Sequence, residues 1–251
     1  MNNFFKNYIV RLLSYLLYLL RNRKYSVLTR EEVRNLMFSF SQFGEDRIVE
    51  EIVENLGIGK GLYVDAGAFH PYQMSVTNIL YRKGWKGIVI DLDQDKIALF
   101  KKYRPRDVAV CAALSDKTME LKHLMYGIPA YNRIVCLDSD DLLSERGDDP
   151  VEVKTIMSKT LNDIIDHSGY KSTQIDVLNI DCEGADLDVL KGINIEVYQP
   201  KIIVIEANNK DCAKNIYEYL VEKNHYSLKS MTLVSMIFIH KKYAPRIGID
   251  Y

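Results

Sequence analysis

The chain has 251 residues, of which 47% are hydrophobic and 27% are charged, and its formal net charge is −1. These values are typical of a globular protein, and the length suits one large α/β domain or one domain with an insertion. The near-zero charge lacks the basic character of nucleic-acid-binding proteins, so no nucleic-acid partner is expected.

The N-terminal segment differs in charge from the rest of the chain. Residues 1–30 hold six basic and no acidic residues, which leaves a net charge of −7 on residues 31–251. Arg11 interrupts the apolar stretch at 4–20, which is therefore too short to resemble the ~20 apolar residues of a transmembrane helix. No signal-peptide cleavage site follows it. The segment is equally compatible with two interpretations. One is a helix that lies on an anionic membrane surface or packs on a partner subunit, and the other is a helix that covers the protein's own core.

Apolar residues at helical spacing predict helices between short apolar runs. The predicted helices are at 44–56, 73–83, 93–103, 185–191 and 211–222. Gly57, Gly84 and Gly192 follow three of them and are suitable helix ends.

Short apolar runs predict the strands. The predicted strands are at 62–66, 87–91, 108–114, 175–181 and 201–206, with two closing strands at 225–229 and 233–240. Strands and helices alternate through five units, which predicts a mainly parallel sheet with helices on both faces. Only a short turn separates the closing strands, which predicts an antiparallel hairpin. The predicted fold class is α/β, with a doubly wound, mainly parallel seven-stranded sheet ending in an antiparallel hairpin.

The interval at about 115–160 interrupts this alternation. It contains Pro129, Pro150 and an acidic stretch between Asp138 and Asp149. This composition predicts a loop and a short β insertion over the carboxyl edge of the sheet. The predicted organisation is therefore an N-terminal segment at 1–30 and one domain at 31–251 that carries the insertion.

The cysteines indicate a reducing compartment. Cys111, Cys136, Cys182 and Cys212 form no CxxC pair, and two of them fall in apolar runs that predict buried strands. We interpret them as reduced core residues of a cytosolic protein rather than as a disulfide framework or a zinc site.

The turn after the first predicted strand is the main candidate for binding a cofactor. Asp65-Ala-Gly67-Ala68 lacks the second and third glycines of the pyrophosphate-binding motif G-x-G-x-x-G. A methionine-bearing nucleoside has no phosphate, so its binding depends less on these glycines. Asp65 could receive its ammonium group. Asp91 ends the second predicted strand, where an acid suits the two ribose hydroxyls. The alternative for Asp91 is a helix cap, a role that Asp93 could fill instead.

Three other positions complete the candidate cofactor-binding set: Phe69, Leu92 and Ala113. Phe69 could pack against the cofactor or simply against the sheet.

The predicted fold also distinguishes between two cofactor classes. A parallel sheet that ends in an antiparallel hairpin is typical of methyltransferases that use S-adenosylmethionine, whereas a nicotinamide-binding domain would continue with another crossover.

Two carboxylates after the fourth predicted strand are the first candidates for catalysis. If extended geometry persists, Asp181 and Glu183 point to the same side. Close carboxylates can have pKa values pushed apart, which leaves one as a base near neutral pH. They could also hold a divalent cation, or Glu183 could merely cap the next helix. His70, with an ordinary pKa of ~6.5, is a third candidate base, and a structural role near the turn is equally supported.

Several of these stretches together resemble the FkbM-type methyltransferases. The matching stretches are SQFGEDRIVEEI (41–52), VDAGAFHPYQMSVTNILYRKGWKGIVID (64–91), RPRDVAVCAALSD (104–116), KTLNDIID (159–166), IDVLNIDCEGADLDVLKG (175–192) and PKIIVIE (200–206). They follow the family's order over most of residues 41–206. Pro71 stands where many members have Gly, which suggests a subgroup, and Val76 departs from the family's Ser-Asn-Thr.

The resemblance implies a Rossmann-like class I fold and methylation of a hydroxyl oxygen on a sugar of a surface glycan or a secondary metabolite. By the family's motifs, Asp65, Gly67, Ala68 and Asp91 would bind S-adenosyl-L-methionine, and Asp181 and Glu183 would line the reaction site. The implied partner is a sugar or glycan acceptor in the cytoplasm, and the sequence leaves homo-oligomerisation and metal dependence open. The alternatives are a nicotinamide-dependent sugar oxidoreductase and a non-catalytic glycan-binding protein.

Overall fold

The computed structural model describes residue 16 and residues 30–127, 132–138 and 147–247. The chain forms two compact units, at residues 1–39 and 40–251. In the first unit, α1 spans Arg30–Arg34. The predicted helix at residues 4–20 lies outside the described residues, apart from residue 16. No helix in the described part of the chain is long and apolar enough to cross a bilayer.

The second unit alternates helices and strands. Its helices are α2 (Glu45–Asn55), α3 (Asn78–Arg82), α4 (Gln94–Tyr103), α5 (Leu161–His167), α6 (Asp186–Lys191), α7 (Ile195–Tyr198) and α8 (Lys210–Tyr217), and α8 continues as a π-helical turn at Glu218–Lys223. Its strands are β1 (Leu62–Ala66), β2 (Lys86–Asp91), β3 (Val108–Cys111), β4 (Ala113–Leu114), β5 (Glu120–Met125), β6 (Arg133–Cys136), β7 (Glu152–Lys159), β8 (Val177–Ile180), β9 (Ile202–Glu206), β10 (Tyr226–Met231) and β11 (Ser235–His240). A 3₁₀ turn follows at Ala244–Ile247.

The described residues form a main sheet of seven strands in the order β10-β11-β9-β8-β1-β2-β3. The pairs from β3 to β9 are parallel. β11 runs antiparallel to both β9 and β10, so the two closing strands pair with each other as predicted. The mainly parallel α/β sheet predicted from the sequence is therefore confirmed.

Alternate residues of each central strand enter different apolar clusters. In β1, Val64 and Ala66 belong to one cluster and Tyr63 to the other. The first cluster contains residues of α5, α6 and α8, and the second contains residues of α2, α3 and α4. Every residue of β1 is buried. Burial on both faces explains why the strands appear in the sequence as continuous apolar runs.

Two predicted elements differ from the structure. The helix predicted at 73–83 begins only at Asn78, because Thr77 and Ser75 use their polar groups elsewhere. The Ser75 amide donates to the Phe40 carbonyl at 2.9 Å, and the Thr77 hydroxyl donates to the Asp65 carboxylate. These bonds hold residues 71–77 against the sheet as an irregular loop.

The strand predicted at 108–114 is divided between two sheets. β3 ends at Cys111, and the Ala112 amide donates to the Asp91 carbonyl at 3.1 Å. β4 then pairs with β7 in a second sheet of the described residues, in the order β4-β7-β5-β6. This small sheet is the β structure that the sequence predicts within about 115–160.

The expectation that the cysteines are core residues is wrong for two of them. Cys111 and Cys136 are exposed, and Cys182 and Cys212 are partly buried. All four are free thiols. Cys111 is the last residue of β3, an edge strand, so the apolar run around it does not imply burial.

Candidate active site

The candidate site lies where the connections of the main sheet change direction. From β1 the chain moves to β2 and β3 on one side, and it later returns to β8 on the other side. Open α/β sheets bind ligands at the carboxyl edge of such a switch point. Asp65 lies near the end of β1, Asp91 ends β2, Asp181 follows β8 and Glu206 ends β9.

Gly67 allows the turn after β1 to approach the end of β8. Its φ is +79°, and a Cβ at this position would lie 1.7 Å from the Asp181 carbonyl oxygen. The amides of Gly67 and Ala68 both donate to the Ile90 carbonyl at 2.9 Å. The space that a side chain at position 67 would occupy is therefore filled by the protein's own backbone.

Asp65 is buried and bonded within the protein. One oxygen accepts from the Asn179 amide at 2.9 Å, and the other accepts from the Thr77 hydroxyl. Burial raises the pKa of Asp65, and the nearby Arg104 guanidinium acts in the opposite direction. Each carboxylate oxygen has two lone pairs, so Asp65 keeps acceptor capacity while it fixes β1 to β8 and to the 71–77 loop.

Arg104 organises the polar interior beside this turn, and it is not among the site residues predicted from the sequence. Its side chain is 2% exposed, and its guanidinium donates to the Tyr63 hydroxyl at 2.7 Å and the Thr77 hydroxyl at 3.0 Å. It also pairs with the Asp107 carboxylate at 2.8 Å and bonds the Pro71 carbonyl at 3.3 Å. The spacing of Arg104 and Asp107, three residues apart, is the sequence feature that could have indicated a buried pair.

Asp91 is nearly buried at the end of β2, and it does not cap the next helix. Asp93 caps α4 by accepting from the Asp95 and Lys96 amides at 2.8 and 3.4 Å. Asp91 instead accepts from the Asp93 amide at 2.8 Å and pairs with the Lys96 ammonium at 3.4 Å. Burial raises the pKa of Asp91, and Lys96 opposes this effect. Asp91 therefore remains a candidate for binding a ligand at the carboxyl edge of the sheet.

The other candidate cofactor residues surround the same edge. Ala68 and Ala113 are buried, and Leu92 is partly buried, with its carbonyl accepting from the Cys111 thiol at 3.2 Å. Phe69 has φ +24° and an exposed ring, with the Lys96 ammonium 4.6 Å from the ring centroid. Lys96 therefore contacts both Asp91 and Phe69, and it brings the two predicted positions together.

His70 makes local contacts. Its Nδ1 accepts from the Tyr72 and Gln73 amides at 3.4 and 3.3 Å, and its ring packs edge-on against Tyr72 at 4.5 Å. Partial burial lowers the pKa of His70. These contacts agree with a structural role in the turn at 70–73.

Asp181 and Glu206 form a carboxyl pair across neighbouring strands. Ile180 of β8 pairs with Ile205 of β9, so Asp181 and Glu206 are the next residues along the two parallel strands. This register makes Asp181 and Glu206 neighbours at the carboxyl edge of the sheet. The sequence contains an indication of this pair, since both buried apolar runs end in an acid, but the strand order is needed to make them neighbours.

Ionisation of this pair is disfavoured. The Asp181 side chain reaches solvent, yet protein surrounds most of its carboxylate. Burial, together with the charges of Asp186 and Glu183, raises the pKa of Asp181 to about 7. Burial and the charge of Asp181 raise the pKa of Glu206 to about 9. Like charges at short distance explain why the two groups resist being ionised together.

The predicted alternation of Asp181 and Glu183 on one extended strand is wrong. β8 ends at Ile180, and Glu183 has φ +50° in a tight turn. Asp186 holds that turn by accepting from the Cys182 amide at 2.7 Å and the Gly184 amide at 3.0 Å. Glu183 is exposed, and Glu206 takes the place beside Asp181 that the alternation pattern predicted for Glu183.

A pocket opens beside Asp181. Met74 and Val76 of the irregular loop line it together with Asn179 of β8 and Val234 before β11. The lining of the pocket thus combines apolar groups with carboxylates. Among the residues that the structure describes, no group of three or more His, Cys, Asp or Glu side chains could hold a metal ion.

Comparison with known proteins gives one family match. The sequence model described as the methyltransferase FkbM domain matches residues 65–228, which is more than half of the chain. The matched segment contains Asp65, Asp91, Asp181 and Glu206. No curated protein matches the chain.

Proposed function

This chain belongs to the FkbM methyltransferase family, and we propose that it transfers the methyl group of S-adenosyl-L-methionine to a hydroxyl oxygen of a sugar or glycan. The observation that carries this proposal is the Asp181–Glu206 pair at the carboxyl edge of the sheet, with a pKa for Asp181 of about 7. A carboxylate with such a pKa is suited to accept a hydroxyl proton near neutral pH.

The residues on the β1–β2 side fit the cofactor. Asp91 is a nearly buried carboxylate at the end of β2, where it suits the two ribose hydroxyls. The exposed Phe69 ring offers an apolar face beside Asp91. The turn at 65–68 has no phosphate-binding glycine pattern. S-adenosylmethionine would supply an activated methyl group on a sulfonium centre.

The residues on the β8–β9 side would handle the acceptor. The acceptor oxygen would form the new bond to the methyl carbon with a lone pair, the carbon–sulfur pair would stay on sulfur, and Asp181 would take the hydroxyl proton. Alignment of the two reactants can contribute about 7–11 kcal/mol, and a positioned base about 10²–10⁴-fold in rate. Asp181 follows β8, which pairs directly with β1, so a rigid sheet holds the base relative to the cofactor turn.

The direct test has two steps. Isothermal titration of S-adenosylmethionine into the full chain should give a micromolar dissociation constant, near −8 kcal/mol. A screen of sugars and methyl glycosides for formation of S-adenosylhomocysteine should then identify an acceptor. If neither S-adenosylmethionine nor S-adenosylhomocysteine binds, the proposal fails, and binding of NAD in the same experiment would favour the oxidoreductase alternative.

We also propose that residues 1–30 bring the enzyme to the cytoplasmic face of a membrane. The support is their six basic residues and the apolar stretch at 4–20. Anionic lipid attracts basic segments by about 1 kcal/mol per Lys or Arg near the surface. The full chain should float with liposomes that contain phosphatidylserine, and a chain beginning near Tyr25 should not. Equal flotation of the two would contradict this proposal.

A further inference from the structure

The pocket beside Asp181 is lined by three segments that are distant from one another in the sequence. They are the segment at 40–46, which leads into α2, the 71–77 loop, and the turn at 232–235 between β10 and β11. The residues that these segments add to the lining are Gln42, Glu45, Met74, Val76, Val234 and Ser235. The shape of the opening therefore depends on how the three segments are held together.

Hydrogen bonds join these segments. The Thr232 hydroxyl donates to the Glu45 carboxylate at 2.7 Å, which ties the turn to the segment at 40–46. The Ser75 amide donates to the Phe40 carbonyl at 2.9 Å, which ties that segment to the loop. Glu45 is 2% exposed and also accepts from the Phe43 amide at 2.9 Å. The opening of the pocket is therefore a built feature of the fold.

Each of the three segments exposes a large apolar side chain next to the pocket. The exposed fraction is 41% for Phe43, 52% for Met74 and 80% for Leu233. Met74 itself lines the pocket, and the other two are adjacent in sequence to lining residues. We call these three side chains the apolar rim. Single exposed apolar residues are ordinary, but several around one pocket indicate a ligand with an apolar surface.

The backbone of Met74 supports a role in binding. Its φ is +50°, in the left-handed region that residues with a Cβ rarely adopt. Such a conformation costs about 1–3 kcal/mol and is found most often at functional sites. Half of the side chain is exposed, so packing within the protein offsets little of this cost. Contact with a ligand explains why the loop presents a methionine here.

The charges of the pocket favour an uncharged ligand. Among the described residues, its lining holds the carboxylates of Glu45 and Asp181 and no lysine or arginine. These carboxylates would repel a phosphate group placed in the pocket. Uncharged hydroxyls, in contrast, can bond to polar groups that fix their orientation. The pocket therefore suits a neutral polar group, and the rim suits an apolar group attached to it.

We propose that the acceptor is a neutral amphiphile: its sugar hydroxyl lies beside Asp181, and its apolar part packs on the rim of Phe43, Met74 and Leu233. This assignment rests on the proposed methyl transfer, for which it names the class of acceptor. That class is an uncharged sugar joined to an alkyl chain or another apolar group, rather than a sugar phosphate or a nucleotide sugar. Binding of the apolar part to the rim needs no cofactor and can be measured separately.

The test compares methyl and octyl glycosides of the same sugars by calorimetry on the full chain, below the concentration at which the octyl compounds form micelles. The octyl compounds should bind at least about tenfold more tightly, because burial of each methylene group adds to the affinity. Equal affinities would overturn the proposal and leave the rim to a protein, such as a second copy of this chain. Octyl phosphate should bind more weakly than the octyl glycosides, and equally tight binding would contradict a neutral ligand.

Two variants locate the binding site. Leu233→Ser and Met74→Gly should each lower the affinity for octyl glycosides toward that for methyl glycosides. Glycine accepts the left-handed backbone, so Met74→Gly should have a urea midpoint at least as high as wild type, which separates lost binding from unfolding. Val197→Ser is the matched control, because Val197 is 64% exposed in α7 and lies outside the lining. Unchanged octyl affinity in both rim variants would refute the assignment.

Failure of this inference can be told apart from failure of methyl transfer. Titration of S-adenosylmethionine reports the cofactor whether or not octyl glycosides bind. If the cofactor binds and methyl glycosides are methylated as efficiently as octyl glycosides, methyl transfer stands and the amphiphilic acceptor fails. If octyl glycosides bind at the rim and the cofactor does not bind, the rim stands as a binding site for a neutral amphiphile and methyl transfer fails.

Discussion

The Cα atom of Gly67 lies so close to Asp181 that a Cβ would stand 1.7 Å from the Asp181 carbonyl oxygen. This contact joins the turn after β1 to the residue that follows β8. The cofactor side and the acceptor side of the proposed site therefore share one backbone contact, and substitution at Gly67 should affect both.

Replacement of Gly67 by alanine should destabilise the protein by about 3 kcal/mol or more, because it combines a left-handed backbone with a clash that the backbone must relieve. Urea unfolding measures the change. Gly169→Ala is the matched control, since Gly169 has φ +87° but a Cβ there would meet no atom within 4 Å. The control should lose about 1–2 kcal/mol, and an equal loss in both variants would show that the Asp181 contact is unimportant.

Replacement of Arg104 by methionine should cost about 3–5 kcal/mol, because it removes the cation that neutralises the buried Asp107 carboxylate and the donor to the Tyr63 hydroxyl. Trp85 is buried and is the single tryptophan of the chain, so its fluorescence reports unfolding. Arg106→Met is the control. Arg106 is exposed, stacks on Tyr81 at 3.8 Å, and should lose about 1 kcal/mol or less. Similar losses would argue against the buried network.

Asp91→Ala should weaken S-adenosylmethionine binding by about 10- to 100-fold, since hydrogen bonds to a charged group contribute about 1.5–3 kcal/mol. Asp93→Ala provides the comparison two residues away. It removes the cap of α4 and should cost about 0.5–2 kcal/mol of stability while binding stays unchanged. Calorimetry on both variants separates the two roles. Undiminished binding by Asp91→Ala would exclude the ribose contact.

Asp181→Asn should lower turnover by about 10²–10⁴-fold, because asparagine cannot accept the hydroxyl proton. Affinity for S-adenosylmethionine should change little. Glu183→Gln should lower turnover by less than about tenfold, since Glu183 lies in the turn beyond β8. The assay is formation of S-adenosylhomocysteine with the acceptor that the sugar screen identifies. A larger loss from Glu183→Gln than from Asp181→Asn would reverse the assignment of the base.

Local patterns predicted the elements that are buried on both sides. The bounds of β1 agree with the predicted strand at 62–66, and Asp93 caps α4 as the sequence allowed. These features depend on neighbours along the chain, such as a continuous apolar run or a side chain that reaches an amide two residues away. The family resemblance likewise rested on local motifs, and the match over residues 65–228 confirms it.

The site depends on contacts between distant segments, which local patterns do not contain. Loop residues 73–77 have helical spacing, yet bonds to Asp65 and to Phe40 keep them irregular. The run at 108–114 has strand composition, but the Asp91 carbonyl and β7 divide it between two sheets.

Local patterns and motifs were sufficient to predict the fold class, the family and the carboxyl edge at which acids end buried strands. Which of these acids become neighbours depends on the packing of the whole sheet. Asp181 and Glu183 are close in sequence, but the backbone turns between them, with Glu183 at φ +50°. Asp181 and Glu206 are distant in sequence, but parallel pairing of β8 and β9 brings them together. The physical reason is that strand order and register, which depend on the packing of the whole sheet, set the distance between side chains on different strands.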